Sequence, residues 1–398
     1  MILTRRTFHL LLLLGLIPLC SHHAVANATA WVNTEVNGVS YLPLENLRSF
    51  YKFTPMQRPP RSSARVIVGN KDVKLEFGPA LRELTIGGTR CMLTHPLMDD
   101  AKGDFLISRV DMVKLIDPIL RPTYIQGRRA VKTVIIDPGH GGHDAGTQTS
   151  WVREADCTQL VATKLRDELL RRMPDLKVQF THEQNQYRSE QQRVDQISQA
   201  EAPIFISLHV NSGRSDVKGV ETYTAAPAAP GEQPRPGNVY DTANTALAYA
   251  LQTALVRGTE AQDGGCRRAR YSLLNSVNCP AAMVEMGYAT HEEEGKNLAT
   301  AEYQAKLAQS LAEGICNYMR MADPATQLAY VEIPKVEEPP TPVKADIPAK
   351  KAAPAKKTAP KRGKVKAQPK KRSAPKKAAP APSKKNTGTS RKNTKRRR

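Results

Sequence analysis

At 398 residues with a formal charge of +21, the chain is long enough to bury a sizeable core and to hold more than one domain. The charge is localised: residues 344–398 hold 22 Lys and Arg against a single acid, Asp346, which leaves 37 basic and 37 acidic residues elsewhere. A neutral body excludes any argument from overall charge to nucleic-acid binding, so function has to be read from local residues.

Residues 1–30 read as a signal peptide. Arg5 and Arg6 precede an apolar run over 10–19, and small-residue cleavage patterns follow at Ala24-Val25-Ala26, Ala26-Asn27-Ala28 and Ala28-Thr29-Ala30. Thr4-Arg5-Arg6-Thr7-Phe8 also resembles a twin-arginine signal, while the leucine-rich core fits the general secretory route. The expectation is a protein of the periplasm or cell envelope, or a secreted one. A retained N-terminal anchor is the alternative, and the short apolar run argues against it. Five cysteines then remain, Cys91, Cys157, Cys266, Cys279 and Cys316, with no CxxC spacing for a cysteine zinc site. Cys266 with Cys279 is a candidate pair in an oxidising compartment, and buried free thiols account for the five as well.

Residues 31–124 carry short strand-like runs. Val36-Asn37-Gly38-Val39 is a hairpin signal, and Gly69-Asn70 separates two further β runs, 66–68 and 73–77. Tyr41-Leu42-Pro43-Leu44 with its following helix is echoed by Phe105-Leu106-Ile107-Ser108 and a helix over 110–116. That echo resembles the small α+β domain found at the N-terminus of copper amine oxidases. It contains no cluster of ligand-type residues, so a wall-binding or spacer role is expected.

From residue 131 strand and helix patterns alternate, the mark of an α/β sheet. Strands are expected at 131–137, 176–180, 204–208, 220–223 and 282–286, with helices near 154–169, 188–198, 242–256 and 303–315. The first strand, Val134-Ile135-Ile136, reads as buried on both faces and therefore parallel. The fold class is α/β: a mostly parallel twisted sheet flanked by helices over 131–320, preceded by the small domain. Residues 322–398 turn to Pro, Ala, Lys and Arg and are expected to form a disordered basic tail.

The chemistry-bearing residues lie at strand ends, where open α/β sheets place their ligands. His140 sits in the turn Asp137-Pro138-Gly139-His140-Gly141-Gly142; His209 in Ser207-Leu208-His209-Val210-Asn211; Glu154 in the first turn of a helix; and Glu285 in Met283-Val284-Glu285-Met286. Taken singly, each has a plain structural reading. Either His can satisfy loop backbone, and a Glu in a first helical turn serves the helix dipole. Glu285 is harder to dismiss, since a carboxylate in an apolar strand is costly unless paired or metal-bound. Together, two histidines and two glutamates are the set a zinc hydrolase needs.

With Gly219-Val220-Glu221 and 280–288, these motifs make residues 131–320 similar to the zinc-dependent N-acetylmuramoyl-L-alanine amidases, which trim peptidoglycan. The resemblance implies zinc held by His140, Glu154 and His209, with Glu285 as the catalytic carboxylate and Arg193 as a structural arginine. It implies hydrolysis of the amide between N-acetylmuramic acid and L-alanine, in wall remodelling or daughter-cell separation. Asn275, His291, His143 and His182 depart from the family's usual residues and bear on substrate contacts. Asn211 and Arg268 are the candidates for those contacts, with Arg267 or Arg270 as other substitutes for the cation missing at Asn275. Asp137 or Glu221 is expected to fix the histidine tautomers, and Glu292, Glu293 and Glu294 read as a solvated run.

Two other readings stay open: an inactive peptidoglycan-binding envelope protein, and a different zinc peptidase of the envelope. The tail is expected either to bind anionic envelope polymers or head groups, or simply to be solvated. An export signal argues against nucleic acid as its partner.

Overall fold

The computed structural model describes residues 33–326, apart from 60–63, 81, 101, 184–185 and 230. The expected signal peptide and nearly all of the basic tail lie outside the described residues. The first described elements are the hairpin β1 (Thr34–Val36) and β2 (Val39–Pro43), closed by Asn37 and Gly38, both at positive φ. Helix α1 (Leu44–Phe50) buries Leu44 and Leu47, and a meander β3 (Val66–Gly69), β4 (Lys74–Phe77), β5 (Glu83–Ile86) and β6 (Thr89–Met92) follows. Strands β7 (Met98–Asp99) and β8 (Phe105–Ser108) join β1 and β2 in a four-stranded antiparallel sheet, order β1-β2-β8-β7. A helical run then passes from α2 (Arg109–Asp111) through a π turn (Met112–Ile116) to α3 (Asp117–Leu120).

The alternating part runs β9 (Thr133–Pro138), α4 (Glu154–Arg172), β10 (Lys177–Phe180), α5 (Glu190–Ser198), β11 (Pro203–Asn211) and β12 (Val220–Ala225). It continues with α6 (Asp241–Thr259), β13 (Asp263–Ala269), α7 (Ser272–Ser276), β14 (Ala281–Tyr288), α8 (Glu292–Leu298) and α9 (Ala301–Ala322). Strands β10, β9, β11 and β14 are mutually parallel, as the doubly apolar Val134–Ile136 run requires, and β12 pairs antiparallel with β14. Side chains alternate between two cores. Val134, Ile136, Ile206 and Val284 pack beneath α4, α6 and α9, whereas Ile135, Phe205 and Met283 meet Ile197 of α5 and Leu273 of α7.

The N-terminal block does not stand apart as the sequence suggests. One ten-stranded sheet runs β10-β9-β11-β14-β12-β13-β6-β5-β4-β3. The join is β6 against β13, where Cys91 pairs with Cys266 and Arg90 N–H donates to Asp263 Oδ2 at 2.7 Å. Leu84, Ile86 and Cys91 share one core with Leu247 and Leu251. Of the two readings of the cysteines, the candidate Cys266–Cys279 pair is not formed; both thiols are free and buried, and the cysteine opposite Cys266 is Cys91.

Candidate metal and catalytic site

Strand β9 ends at Pro138, which cannot donate to a ladder, and the chain turns at once. His140 follows at φ 66°, a left-handed conformation that costs a non-glycine residue about 1 kcal/mol. Its backbone is held there by Arg193, whose Nη2 donates to the His140 carbonyl at 3.0 Å. Gly139 is required for space, because a Cβ there would meet His209 Cε1 at 2.5 Å and the Leu208 carbonyl at 2.6 Å.

Glu154, the first residue of α4, is 3 % exposed, and the helix N-terminus favours its charge. Its Oε2 accepts from Thr147 N–H at 2.8 Å and its Oε1 from Val210 N–H at 3.0 Å. The same Oε1 lies 3.0 Å from His140 Nε2 and 3.0 Å from His209 Nδ1. Burial pushes the Glu154 carboxyl up, yet the two imidazoles and the Val210 N–H outweigh it and hold it well below the usual range. The bond to Glu154 in turn pushes His140 up to about 9, against the opposing effect of burial.

One ligand atom from each of His140, Glu154 and His209 lies within 4.8 Å of the others. Two imidazole nitrogens and a carboxylate oxygen suit a divalent cation, since tetrahedral N and O ligands sit about 2.0–2.2 Å from such an ion. The carboxylate now held by two imidazoles supplies the negative charge such an ion needs.

Glu285 lies on β14 directly beside His209 of β11 and opposite Glu221 of β12. It is 8 % exposed, and its Oε2 finds no hydrogen-bond partner among the described residues. Burial pushes its carboxyl up to about 7, with the neighbouring Glu154 and Glu221 adding to the rise against the two histidines. Glu221 is engaged differently. It accepts from Tyr223 OH at 2.7 Å and Asn211 Nδ2 at 3.2 Å, and pairs with Arg267 Nη2 at 2.8 Å.

A family model described as N-acetylmuramoyl-L-alanine amidase matches residues 134–317, the segment that contains all four of these positions. The chain carries a domain of the N-acetylmuramoyl-L-alanine amidase family. A protein of uncharacterised function from Bacillus subtilis, YqiI, is 29 % identical over 187 residues, 47 % of this chain and 84 % of that one. The N-acetylmuramoyl-L-alanine amidase LytC of the same organism is 27 % identical over 193 residues, 48 % of this chain but 36 % of its own length. The solved amidase from Clostridium difficile 630 is 28 % identical over 48 % of this chain and 97 % of its own, with a TM-score of 0.42.

The amidase domain supports its ligand turn from beneath. Asp137, fully buried, accepts from Arg193 Nη1 at 2.6 Å, Thr181 Oγ1 at 2.5 Å and Ser207 Oγ at 2.7 Å. It therefore anchors the arginine that holds the turn, and has no bond to a histidine ring. Replacing Asp137 by Ala leaves the Arg193 charge buried and unpaired, with an expected loss of about 3–5 kcal/mol in denaturant unfolding.

Neither Asp137 nor Glu221 bonds a histidine ring; Asp144 does. Its Oδ2 lies 2.9 Å from His140 Nδ1, where it orients the ring and fixes its tautomer. The sequence signal was available: an acid four residues after a ligand-type histidine in a glycine-rich turn. Asp144→Asn is expected to weaken metal binding by about 10–100-fold, read by competition with a chelating indicator.

Arg268, a candidate substrate contact in the sequence, is engaged within the fold. It is 9 % exposed in its side chain, pairs with Asp111 at 3.3 Å and donates to Thr94 Oγ1 and the Lys114 carbonyl, each at 2.6 Å. It ties β13 to the N-terminal block. Asn211 does lie beside β14, but its amide is bound to Glu221. Asn275 is buried, with its amide on the Tyr271 carbonyl, His291 caps α8, and His143 stacks on Tyr187. Glu294 departs from the solvated run. It is 7 % exposed and accepts from the Gly219 and Tyr288 N–H groups, each at 2.8 Å, clamping the end of β14.

Proposed function

We propose that this protein is a zinc-dependent hydrolase of the amide between N-acetylmuramic acid and L-alanine in peptidoglycan, acting in the cell envelope after export by residues 1–30. The observation that carries the reading is the convergence of His140, Glu154 and His209 beside a buried carboxylate, Glu285, with an unpartnered oxygen. His140, Glu154 and His209 would hold the metal. When bound, zinc polarises the lactyl carbonyl and lowers the pKa of water to about 7.

The remaining work falls to the chain. Glu285 takes the proton of the attacking water as the water oxygen bonds to the carbonyl carbon. It returns that proton to the alanine nitrogen as the C–N bond breaks, leaving a lactyl carboxylate and a free peptide amine. A carboxyl near 7 suits both directions of transfer at neutral pH. The Glu221–Arg267 pair and Tyr223 fix the strand next to Glu285.

Turbidity of purified peptidoglycan tests the reading. The protein is expected to clear walls while generating new amino groups, a chelator to stop both, and added zinc to restore them. Wall binding without clearing under all three conditions would support an inactive binder instead.

A further inference from the structure

A cavity of about 850 Å³ opens on the flank of the amidase domain, and neither sequence block builds it alone. The first hairpin, Met92 to His95 and the start of α2 form one wall, and the ends of β12 and β13 form the other. Six of its lining residues are cationic, Arg82, Arg109, Lys114, Arg267, Arg268 and Arg270, against one acid, Glu35 at the exposed rim. Four of the six are already neutralised, by Asp241, Glu221, Asp111 and Glu232.

The other two are not. Arg82 is fixed by its Nε on the Leu93 carbonyl at 2.9 Å and has no acid partner among the described residues. The Arg109 guanidinium meets no acceptor among the described residues. Two guanidinium groups at a cavity wall without carboxylates are complementary to a ligand that brings its own.

The cavity also borders β12, the strand paired with β14. Tyr223 lines it, and its hydroxyl reaches Glu221, the residue in register with Glu285. From Glu221 to Ala225 along β12 is about 13 Å, and an extended peptide of four or five residues spans roughly 13–18 Å.

We propose that this cavity receives the acidic peptide arm of the substrate, with Arg82 and Arg109 binding its free carboxylates. The proposal rests on the amidase reading and adds a site to it. The N-terminal block is then a wall of the substrate site and not a spacer.

Calorimetric titration of the zinc-loaded full chain tests this, with L-alanyl-γ-D-glutamyl-meso-diaminopimelate and its fully amidated counterpart as probes. The acid peptide is expected to bind at least about tenfold tighter than the amidated one. Arg109→Ala and Arg82→Ala should each remove most of that difference without changing affinity for the amidated peptide, and Arg109→Lys should restore part of it. Both alanine variants should hydrolyse a muramoyl-L-alanine amide lacking the arm at the wild-type rate. Equal affinity of the wild-type protein for the two peptides, or wild-type acid-peptide affinity in the Arg82→Ala, Arg109→Ala double variant, overturns the proposal. Charge-selective binding without wall hydrolysis would instead count against the amidase reading alone.

Discussion

Glu285→Gln is expected to lower wall hydrolysis by about 10²–10⁴-fold while making the metal-free protein more stable above pH 7. The two effects have one cause. A carboxyl 8 % exposed with an unpartnered Oε2 is poised to accept a proton, and the same burial penalises its charge in the fold. Burial raises it from 4.5 to about 7, so its sign in a stability–pH profile is fixed. Below the unfolded value both states are protonated and the substitution changes little. As pH rises toward 7 the unfolded chain gives up its proton and the folded one does not, so wild-type stability falls across that window. The glutamine variant is spared that loss, a difference of about 2–3 kcal/mol by pH 8. Urea unfolding in chelator at pH 5 and pH 8 measures it, and an advantage at pH 5 that vanishes at pH 8 would contradict the account.

His209→Ala should cost at least about 100-fold in zinc affinity, more than loss of a supporting residue such as Asp144. Activity should fall with metal content. Wild-type protein should gain stability on loading, by about 2.7 kcal/mol when free zinc is a hundred times its dissociation constant, and the variant should gain little. Differential scanning calorimetry with and without zinc reads this. A wild-type midpoint unmoved by zinc would remove the metal from the site.

The site was legible in the sequence where chemistry and backbone coincide. A glycine-rich turn after a doubly apolar strand placed His140, and a carboxylate inside an apolar run marked Glu285, because both patterns are costly without a use. Asp144 was missed although its spacing from His140 offered a signal, because the direction in which the His140 ring turns decides whether the two meet. The partners of Arg268 were hidden for a related reason. On β13 it has Arg267 as its neighbour, and only three-dimensional packing shows that one faces Glu221 and the other Asp111.

The fold divides in the same way. The β9, β11 and β14 core strands announce themselves by β-branched runs. Strand β13, Asp263-Gly-Gly-Cys-Arg-Arg-Ala, has no apolar alternation and is placed by its parallel pairing with β12 on one side and by Arg90 and Cys91 on the other. That join is also why β3 to β6 of a block with a sequence character of its own extend the large sheet, while β1, β2, β7 and β8 form a sheet of their own. Nothing in residues 31–124 read alone indicates the partner strand, because the partner lies some 170 residues further on.

The most direct test of the central claim is hydrolysis of purified peptidoglycan in ¹⁸O-water, followed by mass spectrometry of the fragments. The account predicts one ¹⁸O atom in the muramic-acid lactyl carboxylate and unlabelled peptides beginning with a free L-alanine amine. Label in a peptide carboxylate, with the muramoyl–alanine bond intact, would contradict it.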